Sequence, residues 1–210
     1  MLIVVDGMTA AGKTTIVELL AGRLGFEVMQ EEFRDKFDLL NRFSQNSGKW
    51  CFPMQLNFLI TRYAQFLVAT EGGDFILDRS IYSDLIYGQL YRDMSLLSEK
   101  QFSAYKHMYT NMIENLPEPD CIVLLQCPFD EIVRRIVARG RSDEIALGRD
   151  YWRGLYRAYE NFAVSKEMTV NGLLRIDSER YNFLDSEEDK DTVVRLVSDI
   201  CNMHYGVSEA

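Results

Sequence analysis

Residues 7–15 read GMTAAGKTT, directly after the apolar stretch LIVVD and directly before the helix-period segment IVELLAGRL. The spacing fits G-x-x-x-x-G-K-S/T. A strand that runs into such a loop and out into a helix leaves a layered α/β fold as the natural outcome. Gly7 and Gly12 let the backbone N–H groups of the loop, through Ala10 and Ala11, turn inward on phosphate oxygens. Lys13 reaches the outer phosphates, Thr14 offers a hydroxyl to Mg²⁺, and Thr15 lies in the first helical turn, where the helix N-terminus favours anions. The loop therefore points to a nucleoside triphosphate such as ATP with Mg²⁺, and is silent about what receives the phosphate.

Short apolar runs recur along the chain at 2–5, 26–29, 75–77, 121–125 and 173–176, alternating with helix-period segments at about 13–24, 53–70, 80–92, 99–115, 129–139, 149–165 and 190–203. This alternation predicts a five-stranded parallel sheet with helices on both faces. The 210 residues, 47% of them apolar, are enough for one domain with its own core, and no linker or repeat interrupts them. The acidic run DSEEDKD at 185–191 reads as a solvated loop ahead of the last helix.

A formal net charge of −9 argues against a partner coated in phosphates, so nucleic acid is not expected. Cys51, Cys121, Cys127 and Cys201 lack C-x-x-C spacing and read as reduced, mostly buried thiols. No stretch is long and apolar enough to span a bilayer, and a soluble cytoplasmic protein is expected.

Open α/β sheets bind ligands at the carboxyl ends of their strands. Glu31 and Glu32 follow the second run there, and one of them is placed to accept a hydroxyl proton, with a pair of solvated surface acids as the competing reading. Asp78 and Arg79, which open DRSIYSD at 78–84, follow the third run at the same edge. RRIVARGR at 134–141 concentrates four arginines, with Arg135 and Arg139 one helical turn apart, and reads as a lid that neutralises charge during phosphoryl transfer.

Taken in order, the loop at 7–15, an acid after strand two, W-x-x-x-x-Q as Trp50 to Gln55, D-R-S at 78–80 and R-x-x-x-R at 135–139 resemble the deoxynucleoside kinase family, which includes deoxycytidine, deoxyguanosine and bacterial deoxyadenosine kinases. The resemblance implies a P-loop kinase fold and transfer of the γ-phosphoryl group to the 5′-hydroxyl of a deoxynucleoside for nucleotide salvage. It makes Glu31 the general base and sets Arg79 beside the reacting oxygens. Thr14 and Asp78 would hold Mg²⁺, while Lys13, Arg135, Arg139 and Arg141 would steady the transferred group, the arginines belonging to a lid over about 134–148. Glu144 would bind the sugar 3′-hydroxyl, and Gln55, Arg62 and Asp84 would face the base. Gln55 and Arg62, seven apart on a predicted helix, share a face on spacing alone. A homodimer through helices is implied as well.

The chain departs from the family pattern in three places. Ser44, beside Phe43, stands where relatives place a sugar-contacting tyrosine; Gly88 stands where they place a base-stacking phenylalanine, leaving Tyr87 to stack; and Glu32 replaces a frequent proline. Two other readings stay open on the sequence, a nucleoside monophosphate kinase of the thymidylate type and a nucleotide-dependent regulatory module. The absence of N-K-x-D argues against a guanine-reading switch.

Overall fold

The computed structural model describes residues 1–30, 36–167 and 172–202, so Glu31 and Glu32 lie outside the described residues. In chain order the elements are β1 (Leu2–Gly7), α1 (Lys13–Leu24), β2 (Glu27–Met29), α2 (Leu39–Gln45), α3 (Ser47–Thr70), β3 (Phe75–Asp78), α4 (Asp84–Asp93), α5 (Glu99–Glu114), β4 (Cys121–Gln126), α6 (Phe129–Arg139), α7 (Ser142–Ala146), α8 (Gly148–Glu167), β5 (Leu173–Asp177) and α9 (Glu187–Ile200). The sheet order is β2-β3-β1-β4-β5, and every pairing is parallel. The five predicted strands and the parallel α/β class are thus observed.

Successive strand residues face opposite sides of a sheet, and β1 shows it. Ile3 and Val5 enter one core with Ile16 and Leu20 of α1, Leu155 of α8 and Val193 and Val197 of α9. Leu2 and Val4 enter the other with Leu59 and Phe66 of α3 and Tyr105 and Tyr109 of α5. With both faces covered, β1 is buried throughout, which is why its sequence is continuously apolar. Cys51, Cys121 and Cys127 are buried free thiols and Cys201 is half-buried; burial pushes Cys51 up to about 12. Among the described residues no helix is long and apolar enough to cross a membrane.

Several boundaries differ from the sequence expectation for local reasons. Pro53, read as a helix start, lies inside α3; the helix begins at Ser47, where the Asn46 side chain accepts from the Lys49 N–H. Residues 80–83 do not open α4: Ser80 caps a separate 3-10 turn, Ile81–Ser83, by accepting from the Tyr82 N–H. The acidic run is not a loop. Ser186 caps α9, and Glu187, Glu188 and Asp189 form its first turn, where the helix dipole favours them. Arg23 at the end of α1 pairs with Glu187 and Asp191, tying the two helices together.

Gly88 faces α5 and not a ligand cavity. A Cβ there would stand 2.6 Å from Tyr105 Cε1, and the fully buried Tyr105 is held by its hydroxyl, which donates to the Asp84 carbonyl at 3.1 Å. Gly88→Ala is therefore expected to destabilise the protein by about 1–3 kcal/mol, read as a lower midpoint in urea denaturation.

Candidate active site

The carboxyl ends of β1 and β3 lie side by side, since Val5 is paired with Asp78. The chain leaves β1 through a loop whose backbone is left-handed at Gly7 (φ 149°), Ala10 (φ 66°) and Gly12 (φ 103°). At Gly7 a Cβ would meet the Leu125 carbonyl at 2.8 Å, so close strand packing as well as the turn requires glycine. Gly12 supplies no side-chain cap to α1, and no acid occupies its first turn, which leaves the helix end open to an anion. Lys13 folds over the loop, its Nζ donating to the carbonyls of Gly7 (3.1 Å) and Met8 (3.2 Å).

Over this loop lies a cavity of about 490 Å³ lined by Thr9, Ala10, Gly12, Lys13, Thr14 and Thr15 on one side and by Asp78, Arg79, Arg139, Arg141 and Glu144 on the other. The Thr14 hydroxyl lies 3.5 Å from Asp78 Oδ2. No group of three or more His, Cys, Asp or Glu is arranged to hold a metal ion among the described residues. A hydroxyl and a carboxylate suit Mg²⁺, which keeps waters and is completed by substrate phosphates rather than by a full protein cage.

A second cavity, of about 400 Å³, shares Thr9, Arg79 and Glu144 with the first. Its remaining wall is largely apolar and aromatic, including Phe43, Met54, Phe58, Tyr87 and Tyr91, with Gln55 and Arg62 from α3 among them. Gln55 Oε1 is buried and has no hydrogen-bond partner among the described residues. Arg62 lies over the Phe58 ring and donates from Nη1 to Asp84 Oδ1, and both members of this pair are buried, at 5% and 0% exposure. Asp84 lines neither cavity; it stands behind Arg62.

The arginine segment is divided. Arg139 (3.3 Å) and Arg141 (3.2 Å) both donate to Glu144 Oε1, and the buried Oε2 has no hydrogen-bond partner among the described residues. Arg135 lines neither cavity. Its Nε donates to Glu131 at 2.7 Å, and its Nη atoms reach the carbonyls of Ala10 (3.4 Å) and Ala11 (3.5 Å) and both oxygens of Ser178. Hydrogen bonds from Arg134 first and Arg135 second hold the Glu131 carboxyl at about 2, keeping it a charged clamp. Gly140 and Gly148, both left-handed, bracket α7.

Sequence reasoning brought many of these residues to one sheet edge but missed Thr9, Ser178 and the cavity-lining Met54, Phe58 and Tyr91, apolar helix residues that read from sequence as core. Thr9 occupies a variable place in the loop motif and carries no signal of its own. Ser178 directly follows β5, and the rule that ligands gather at carboxyl strand ends points to it. Gly7 and Ala11 belong to the loop without lining either cavity.

A strand–loop–helix phosphate site that opens onto an acceptor cavity, on a parallel five-stranded sheet, defines a phosphotransferase of the P-loop kinase fold. The Deoxynucleoside kinase family model matches residues 3–202, and the chain belongs to that family. It is 30% identical over 203 residues to the deoxyadenosine/deoxycytidine kinase of Bacillus subtilis, covering 95% of this chain and 92% of that one. It is 29% identical over 208 residues to the deoxyguanosine kinase of Lactobacillus johnsonii, covering 93% and 90%. Among solved structures, deoxyadenosine kinase from M. mycoides with bound dCTP superimposes with a TM-score of 0.81 at 25% identity, covering 95% of this chain and all of that one.

Proposed function

We propose that this kinase transfers the γ-phosphoryl group of ATP, or of another nucleoside triphosphate, to the 5′-hydroxyl of deoxyadenosine, deoxyguanosine or deoxycytidine. The observation that carries this reading is the pair of abutting cavities, one phosphate-receptive and one aromatic, joined through Thr9, Arg79 and Glu144. The triphosphate lies along the loop with Lys13 on its outer phosphates, and Thr14 with Asp78 would hold Mg²⁺, which neutralises phosphate charge when bound. Glu31 takes the proton from the 5′-hydroxyl. Arg79 stands at the junction, where the attacking oxygen meets the phosphoryl group. Glu144 supports a sugar contact through Oε2, which is buried and has no hydrogen-bond partner among the described residues. Gln55 and Arg62 meet the base edge, Asp84 orients Arg62, and the aromatic rings, Tyr87 among them, pack on the base face.

In this reading the chain is one domain, 1–210, and 134–148 forms a lid in which Gly140 and Gly148 flank α7. Arg139 and Arg141 exchange Glu144 for the phosphoryl oxygens, and Arg135 braces the loop from behind. A homodimer acting in the cytoplasm completes the proposal. Purine deoxynucleosides are the expected first choice, because D-R-S in a compact chain resembles the bacterial purine kinases.

Incubation with ATP, Mg²⁺ and each deoxynucleoside, ribonucleoside or nucleoside monophosphate, followed by chromatography, tests the reading. Monophosphate from a deoxynucleoside is the expected product; transfer only to a monophosphate, or ATP turnover indifferent to every acceptor, overturns it. Arg139→Ala and Arg135→Ala are each expected to lower kcat at least about tenfold with little change in nucleoside KM, the first because the charge Arg139 meets grows during transfer and the second because Arg135 holds the phosphate loop at the Ala10 and Ala11 carbonyls. A rise confined to KM would remove both from the transfer step.

A further inference from the structure

We propose that Tyr87 is a positioning residue for the transfer step: its hydroxyl accepts a hydrogen bond from Arg79 and aims that guanidinium at the junction of the two cavities. This rests on the role proposed above for Arg79.

Arg79 is held at its root and at its tip. Its backbone, left-handed at φ 70°, donates N–H to the Val5 carbonyl at 2.9 Å, which ties the residue to β1 just ahead of the phosphate loop. At the other end Nη1 donates to the Tyr87 hydroxyl oxygen at 2.5 Å, with the guanidinium 5.2 Å from the centre of the Tyr87 ring. A guanidinium only donates, so the phenol oxygen is the acceptor. Between the two anchors runs a long side chain whose rotamer freedom would otherwise have to be given up as the reaction proceeds.

The acceptor is itself held in place. Gly88 on α4 faces α5 through Tyr105, and the neighbouring Tyr87 is turned toward α8 and the nucleoside cavity. Its ring meets Tyr159 of α8 edge to face with centroids 6.4 Å apart, and it lies 6.5 Å from the ring of Tyr91, one helical turn along α4. Packed from two sides, the ring carries its hydroxyl at a set place relative to the sheet. Tyr91 is the other phenol lining that cavity, and its hydroxyl pairs instead with that of Tyr151 at 3.3 Å. The ring of Tyr87 serves the cavity wall; its hydroxyl serves Arg79. A donor aimed in advance at the place where charge develops stabilises the transition state without reorganising to do so.

Tyr87→Phe removes the hydroxyl and keeps the ring. The expected result is a kcat lowered about tenfold for each deoxynucleoside the enzyme accepts, with nucleoside KM changed less than about threefold and a cooperative thermal melt retained. A ring that only packed on the base would not register this change. In an Arg79→Met background, itself slow, Tyr87→Phe should alter kcat by less than about twofold, because both substitutions break the same bond. Wild-type kcat in Tyr87→Phe while Arg79→Met is slow, a rise confined to nucleoside KM, or losses that multiply in the double variant overturn the positioning role and leave that of Arg79 standing. Wild-type kcat in Arg79→Met overturns the role of Arg79 itself, and the positioning role with it. Should Tyr87→Phe not fold, Tyr87→Met removes the same hydroxyl, and the same kcat loss and non-additivity are required of it.

Discussion

Glu31→Gln is expected to lower kcat by about 10² or more while leaving ATP binding near normal. The amide keeps the size and shape of the carboxylate but cannot take the 5′-hydroxyl proton as the oxygen attacks. The parallel register places the end of the preceding strand at the right edge, since Met29 is paired with Leu77 beside Asp78. Glu32→Gln is the control and should change kcat only mildly. The measurement is steady-state kcat together with ATP affinity; a near-wild-type kcat in Glu31→Gln removes it as the base, and a reversal of the two results moves the role to Glu32.

The second large effect concerns Arg62 and Asp84, where fold stability and base choice are joined. Asp84→Ala leaves a buried guanidinium without its carboxylate and is expected to cost about 3–5 kcal/mol in chemical denaturation. Replacing both, as Arg62→Met with Asp84→Ala, removes both charges and should recover much of that loss. The pair also sets which base fits. Gln55 and Arg62 at the cavity wall, backed by an acceptor-only carboxylate, suit a base edge that offers both a donor and acceptors. Adenine, guanine and cytosine each offer an amino group beside a ring-nitrogen acceptor, whereas thymine carries a carbonyl in place of the amino group and an N–H in place of the ring acceptor, which sets a donor against the donor-only Arg62. The unaltered enzyme is expected to favour its preferred deoxynucleoside over thymidine at least about tenfold in kcat/KM, and the double variant to shift toward thymidine. An unaltered preference for thymidine would show that the pair does not read the base.

Much of the fold was legible because local pattern and tertiary demand agree. Strands buried on both faces must be apolar along their whole length, so β1 and β4 were visible as LIVV and CIVLL. α1 and α6 fell on their predicted ranges, being bounded by the loop and Gly25 in one case and by Pro128 and Gly140 in the other. Elements with weaker punctuation were not legible. α2 and α7, seven and five residues long, are too short for a hydrophobic period to register. α3 was placed six residues late because proline commonly opens a helix, and here the Asn46 cap prevails over that preference.

By itself the sequence determined the strand–loop–helix phosphate site, the parallel sheet and the gathering of Asp78 and Arg79 with the loop at one sheet edge. Each follows from spacing along the chain combined with the rule that parallel strands share a carboxyl end. Only the tertiary structure decided that Arg135 grips the loop while Arg139 and Arg141 line the cavity, that Gly88 makes room for Tyr105, that Asp84 stands behind Arg62, and that the Tyr87 hydroxyl accepts from Arg79. Residues 62 and 84, like 88 and 105, share no period and no motif. Their meeting depends on how α4 packs against α3 and α5, and contacts between distant segments are set by packing geometry that no local pattern encodes.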